Sequence, residues 1–215
     1  MEKNPILEKL EADYPRLASC RESILAAFHL MAKCYDHDGV IYTCGNGGSC
    51  SDADHITGEL LKGFCRKRPM GAHERQKLQS VACSAEDCEL LSEKLQCGLR
   101  GISLMVHHAA ESAVGNDLGG TLGAAQQLFA LGRPGDLLLA LSTSGNAENI
   151  RYAVSVARLK DIKVIGMTGQ DGGCLGRVAD VAIRVPESQT YRIQELHLPV
   201  YHALCRMIEE RYFDR

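Results

Sequence analysis

This sequence predicts an α/β fold, a doubly wound and mainly parallel five-stranded sheet flanked by helices, and three features predict it. Short apolar runs alternate with helix-like stretches between residues 40 and 185. The run Leu137-Leu138-Leu139-Ala140-Leu141 is apolar at every position, as a strand covered on both faces requires. At Thr43-Cys44-Gly45-Asn46-Gly47-Gly48-Ser49 a strand passes through a glycine-rich turn into a helix. That arrangement aims free backbone N–H groups at an anion beside the carboxyl ends of parallel strands.

Taken in order, residues 3–36 carry apolar positions at spacings near three and four, with Pro15 interrupting them. This predicts an N-terminal helix or helix pair outside any strand–helix–strand unit, which favours an oligomer. The strand 39–43 follows. Residues 49 to about 63 form the next helix, with Ser49 or Asp52 as cap. His55 and Glu59, four residues apart, fall about 40° from one another around the axis and share a face.

The segment 65–100 is the least regular and is taken as an insertion or lid. It begins as a loop at Arg66-Lys67-Arg68-Pro69, where the basic triplet suits a solvated charge run better than substrate steering, and holds one short helix, 85–95, capped by Ser84. The strand 102–106 precedes His107 and His108. Adjacent residues at a strand end point to opposite sides, so these two do not form a joint metal site. A helix ends at Gly115-Asn116-Asp117, and after a turn at 119–123 another runs through Ala130.

The strand at 137–141 leads into Ser142-Thr143-Ser144-Gly145-Asn146 and a helix over 147–160. A capped turn accounts for one of these hydroxyls, not three. Three hydroxyls, a glycine and a helix N-terminus make a neutral cradle for a phosphate dianion. Strands at 163–167 and 181–185 enclose a short helix near Leu175, and a long C-terminal helix from Thr190 to about Tyr212 carries Gln194, Glu195, His197 and His202. Gln194 and His202 are eight residues apart, two turns plus about 80°, and can face the same half of that helix.

Composition narrows the partners. The chain has 215 residues, of which 45% are hydrophobic and 24% charged, and it suits one domain spanning 1–215 with its own core. A net charge of −3 argues against nucleic acid as a partner. No apolar run is long enough to cross a bilayer, and the Met-Glu-Lys-Asn-Pro start lacks an apolar leader, so a cytoplasmic location is expected. The ten cysteines are scattered without a C-x-x-C and are taken as free thiols serving as small core residues. Cys44 and Cys50 flank the glycine turn, which leaves a reactive or ligating thiol open there.

Several of these motifs together resemble the sugar isomerase (SIS) domain family, most closely its phosphoheptose isomerase branch. They are Cys44 to Ser49, Asp52-Ala53-Asp54-His55 through Glu59-Leu60, Gly115-Asn116-Asp117, Ser142 to Asn146, Thr168-Gly169 with Asp171-Gly172-Gly173, and Arg192-Ile193-Gln194-Glu195 with His202. They follow the family's order and cover most of the chain outside 65–100. The resemblance implies the SIS fold and an aldose–ketose isomerase of phosphosugars, with sedoheptulose 7-phosphate as substrate. It implies substrate contacts from Asn46, Gly47, Gly48, Ser49, Glu59, Asn116, Asp117, Ser142, Thr143, Ser144 and Gln194. It implies one zinc ion per site on His55, Glu59, Gln194 and His202, Glu59 as base at carbon, His202 as acid/base at oxygen, and a homotetramer with sites between subunits.

Ala147 stands where the family commonly has another phosphate-contacting serine, Tyr191 replaces a small or acidic residue, and 65–100 is longer than the usual link. The competing expectation is a non-catalytic phosphosugar-binding or interaction module of the same fold. A pure scaffold has no reason to keep His55, Glu59, Gln194 and His202 together.

Overall fold

Successive side chains of a strand face opposite sides of a sheet, and the two cores of this protein divide along that alternation. The computed structural model describes residues 3–213. Its strands are β1 (Ile41–Cys44), β2 (Gly101–Ser103), β3 (Leu137–Leu141), β4 (Lys163–Thr168) and β5 (Val181–Arg184), paired in the order β2-β1-β3-β4-β5. The helices are α1 (Pro5–Asp13), α2 (Arg21–Asp36), α3 (Gly48–Leu61), α4 (Ala72–Val81), α5 (Ala85–Lys94), α6 (His108–Asp117), α7 (Gly123–Leu131), α8 (Glu148–Leu159), α9 (Leu175–Val178) and α10 (Thr190–Phe213). Ile41, Leu137, Leu139, Leu141, Ile165 and Met167 pack with α1, α2, α3 and α10 on one face. Tyr42, Cys44, Leu138, Ala140 and Val164 pack with α7, α8 and α9 on the other. The sheet is therefore doubly wound, as expected, and its pairings are all parallel.

Local differences from the sequence expectation have local causes. Pro15 does split the first helical segment: α1 ends at Asp13, and a 3₁₀ turn over Pro15–Cys20 leads into α2. β2 is shorter than 102–106, because the Ser103 hydroxyl accepts the Met105 amide at 3.2 Å and turns the chain out of the sheet. Helix α4 was not foreseen. None of its residues is buried, so it carries no apolar periodicity to detect. Ser84 caps α5 as expected, accepting from the Asp87 amide at 3.0 Å.

All ten cysteines are free thiols, but only Cys20, Cys34, Cys44 and Cys205 are buried; Cys65 and Cys83 are exposed, so the expectation of core packing holds for fewer than half. Burial pushes the Cys44 thiol up to about 12, which keeps it protonated and unreactive at neutral pH. Among the described residues no helix is long and apolar enough to cross a membrane.

The chain leaves β1 toward β2 and β3 toward β4, on opposite sides. The carboxyl ends of β1 and β3 thus flank the topological switch point, where open α/β sheets bind ligands.

Candidate active site

Two loops build the switch point. After β1 the chain turns through Gly47, whose φ of 54° and ψ of −122° a side chain would disfavour, and enters α3 directly. Neither Ser49 nor Asp52 caps α3: Gly47 is its N-cap without a side-chain bond, Ser49 is buried, and the Asp52 carboxylate accepts from the Tyr201 hydroxyl. Asn46 and Asn149 exchange two amide hydrogen bonds of 2.8 and 2.7 Å, tying the loop after β1 to the first turn of α8.

After β3, Gly145 adopts φ 66° where a Cβ would strike the Gly172 carbonyl. The Thr143 carbonyl accepts from the Gly169 amide at 3.0 Å, the Gly145 carbonyl from Leu175 at 2.9 Å, and Asn146 Oδ1 from Cys174 at 3.0 Å. These bonds fix the Ser142-Thr143-Ser144 loop from behind.

Between the loops lies a hollow of about 350 Å³, lined by Asn46, Gly47, Gly48, Ser49, Ser142, Thr143, Ser144, Ala147 and, from α10, Thr190 and Gln194. Gly48 is required by the close approach of α10: a Cβ there would come within 2.7 Å of Gln194 Nε2. The N-terminus of α8 and three hydroxyls together suit a phosphate without any cation, whereas the Ser49, Cys50 and Ser51 amides of α3 already donate to the carbonyls of Asn46 and Gly47. Ala147 opens α8 with no side-chain cap.

A second group stands further along α3, where α10 runs beside it in the same direction. His55 Nε2 is 3.2 Å from Glu59 Oε1, and the His55 and His202 rings meet edge-to-face at 5.1 Å. Glu59 Oε2 and His202 Nε2 are buried without a hydrogen-bond partner, the Lys62 ammonium lying 3.6 Å from Glu59 Oε2. Burial, and then the neighbouring His55, push the His202 imidazole below its ordinary value and keep it neutral at pH 7. Burial raises the Asp52 carboxyl, opposed by the Tyr201 hydrogen bond and His55.

Of the four residues expected to share a metal, His55, Glu59 and His202 meet here, whereas Gln194 sits at the hollow, about 12 Å of helix from His202. Among the described residues no three His, Cys, Asp or Glu side chains stand close enough to hold a metal ion as they lie. The donor chemistry does fit zinc, since two imidazoles and a carboxylate are ordinary ligands and two of their atoms are buried and orphaned. Asn116 and Asp117 lie exposed at the end of α6, bonded to each other at 2.8 Å and not among the residues lining the hollow.

Other residues at or beside these groups gave no sequence signal. Asn149 and Tyr201 are two. Arg68 and Glu209 are two more: both are buried and paired at 2.9 Å, so Arg68 is not part of a solvated charge run. Arg68 also donates to the carbonyls of Glu59 and Leu60, and the Glu209 carboxylate accepts the amides of Phe64, Cys65 and Arg66. The partners are 141 residues apart, and no local pattern links them.

A hydroxyl-lined anion hollow at the switch point of a wholly parallel sheet defines a class, the phosphate-binding α/β proteins. Within it, this chain belongs to the SIS domain family, whose model matches residues 10–90 and 98–169. It is 36% identical over 195 residues to the phosphoheptose isomerase of Rhodospirillum rubrum, covering 91% of this chain and 89% of that one. It is 35% identical over 216 residues to that of Shewanella baltica, covering 99% and 95%. A solved phosphoheptose isomerase from Francisella tularensis superposes with a TM-score of 0.71 at 30% identity, covering 95% of this chain and 98% of the other.

Proposed function

We propose that this protein is a phosphoheptose isomerase that converts sedoheptulose 7-phosphate to D-glycero-D-manno-heptose 7-phosphate. The observation that carries the reading is a phosphate cradle at Ser142-Thr143-Ser144 in a chain that also offers a carboxylate, Glu59, one oxygen of which is buried without a hydrogen-bond partner and lies beside the Lys62 ammonium. Near-full-length identity to phosphoheptose isomerases supports the same reading.

The reaction moves one proton between C1 and C2 and another between their oxygens, with no net oxidation. Glu59 removes the C1 proton, the electron pair forms the C1–C2 double bond of an enediol, and Glu59 returns the proton to C2. Neutral His202 carries the proton between the two oxygens. The hydroxyls of Ser142, Thr143 and Ser144 and the N-terminus of α8 bind the phosphate and fix the sugar's register, and Gln194 with the 46–49 loop lines its flank.

His55, Glu59 and His202 are the zinc donors in this reading, supported by the buried atoms of Glu59 and His202 that lack hydrogen-bond partners, while Gln194 stays with the phosphate hollow. Zinc when bound polarises the carbonyl as a Lewis acid.

Glu59 stands eleven residues along α3 from Gly48, about 16 Å, against roughly 10 Å for an extended heptose chain at ordinary bond lengths. That mismatch supports sites completed between copies, with Glu59 of one chain serving the phosphate hollow of another, in a cytoplasmic homotetramer. Exposed Tyr14, Tyr191 and Leu198 on the flanking helices suit such contacts.

Incubation with sedoheptulose 7-phosphate in deuterated water tests the reaction. The aldose 7-phosphate carrying deuterium at C2 is expected; no aldose and no exchange on the ketose would reject this substrate.

A further inference from the structure

One pair of side chains closes the hollow from loop to loop. Asn46 Nδ2 donates to Asn149 Oδ1 at 2.8 Å, and Asn149 Nδ2 donates to Asn46 Oδ1 at 2.7 Å. Asn149 is the second residue of α8 and stands 103 positions further along the chain. Asn46 lines the hollow, and Asn149 is not among the lining residues. Both bonds lie at the surface, where a hydrogen bond within the protein adds little over one to water. Their consequence is orientation.

A primary amide has two N–H hydrogens and an oxygen with two lone pairs. Each asparagine spends one hydrogen and one lone pair on its partner. Turning either amide over alone would set oxygen against oxygen and NH2 against NH2, so each holds the other as it lies. Asn46 keeps one N–H and one lone pair, in the hollow that also carries the hydroxyls of Ser142, Thr143 and Ser144. A sugar hydroxyl gives one hydrogen bond and accepts another, which matches that spare pair. A phosphate dianion only accepts, and gains nothing from the lone pair.

We infer that Asn149 is a positioning residue: through the paired amides it holds Asn46 so that the spare N–H and lone pair of Asn46 grip a hydroxyl next to the phosphate of the bound sugar. The choice of ligand rests on the phosphosugar reading above; the pairing of the amides does not.

The test uses the full chain and follows binding by NMR titration with two probes. Glycerol 3-phosphate carries hydroxyls beside its phosphate, and inorganic phosphate has no sugar-like carbon chain. Asn149→Ala is expected to weaken glycerol 3-phosphate about 3–10-fold, as loss of one well-placed hydrogen bond does, and to leave inorganic phosphate within about twofold. Asn46→Ala should give the same selective loss, and in its background Asn149→Ala should add nothing further. Melting temperatures should stay within about 2 °C of the wild type. Asn149→Ser also removes the paired amide and takes the place of Asn149→Ala if that variant does not fold. With sedoheptulose 7-phosphate, the Asn149 variant should raise KM more than it lowers kcat.

Unchanged binding of glycerol 3-phosphate would overturn the inference. So would equal losses for the two probes, which mean a loosened hollow, or additive losses from Asn46→Ala and Asn149→Ala, which mean that Asn149 acts without Asn46. The expected pattern with both probes, in a wild type that does not turn over sedoheptulose 7-phosphate, leaves the positioning role standing and removes the isomerase reading. A wild type that binds neither probe overturns both.

Discussion

Helix α3 begins in a turn held from several sides and ends in a segment held at its base. At its start, the loops after β1 and β3 are bound to each other by Asn46 and Asn149 and to the 169–175 turn by three further hydrogen bonds. Beyond its end, α4 and α5 bury no residue. That excursion is closed where Pro69 pairs with Gln96 and the Cys97 amide reaches the Arg68 carbonyl at 2.6 Å. The contrast teaches where the chain has freedom. A backbone that must shape an anion hollow admits few residues, whereas a polar helical arm tied only at its root admits many.

Arg68 and Glu209 join the two regions, so breaking this pair should have the largest effect on stability. Arg68→Met or Glu209→Gln leaves a buried charge unpaired and is expected to cost about 3–5 kcal/mol, read as a lowered denaturant midpoint. The Arg68 guanidinium also holds the carbonyls of Glu59 and Leu60, so loss of activity should accompany loss of stability. A variant as stable as the wild type would mean that the arm's root is not anchored there.

His197, on the sheet-facing side of α10, sharpens the same contrast from the core. Burial pushes its imidazole down to about 4, against a donated hydrogen bond from Nε2 to the Thr168 carbonyl at 3.3 Å. The unfolded chain therefore binds a proton that the folded chain refuses as pH falls from 6.5 toward 4. Stability falls through that window by roughly 3 kcal/mol and is unaffected by this group above it. His197→Gln should flatten the slope of unfolding free energy against pH; an unchanged slope would assign it to other groups.

Smaller effects are expected at the start of α8 and on the arm. Ala147→Ser gives α8 a capping hydroxyl and adds a donor beside Ser142, Thr143 and Ser144; about 1 kcal/mol of added stability and a lower KM for the phosphosugar are the outcomes to look for by calorimetry and initial rates. Leu90→Ser on α5, where Leu90 is 55% exposed, should change stability by less than about 0.5 kcal/mol. A larger loss would show that the arm packs against something in the assembled protein.

The same contrast explains what the sequence made legible. The sheet was readable because strands covered on both faces must be apolar throughout, as at Leu137 to Leu141. The two anion loops were readable because glycines and hydroxyls at a strand–helix junction have few other uses. His55 and Glu59 fell on one face by helical arithmetic alone. Helix α4 was invisible because its sequence has no apolar stripe. Tyr201, Asn149 and the Arg68–Glu209 pair act through partners more than a hundred residues away, where no spacing rule reaches. Gln194 and His202 shared a helix face as expected, but the length of α10 sets them at different ends of the site.

The measurement that bears most directly on the central claim is turnover of sedoheptulose 7-phosphate by the wild type beside Glu59→Gln, with folding of both confirmed by their melting curves. The account predicts aldoheptose 7-phosphate from the wild type and a rate lower by about 10²–10⁴ in the variant, as loss of a general base requires. A Glu59→Gln enzyme that turns over at the wild-type rate would contradict it.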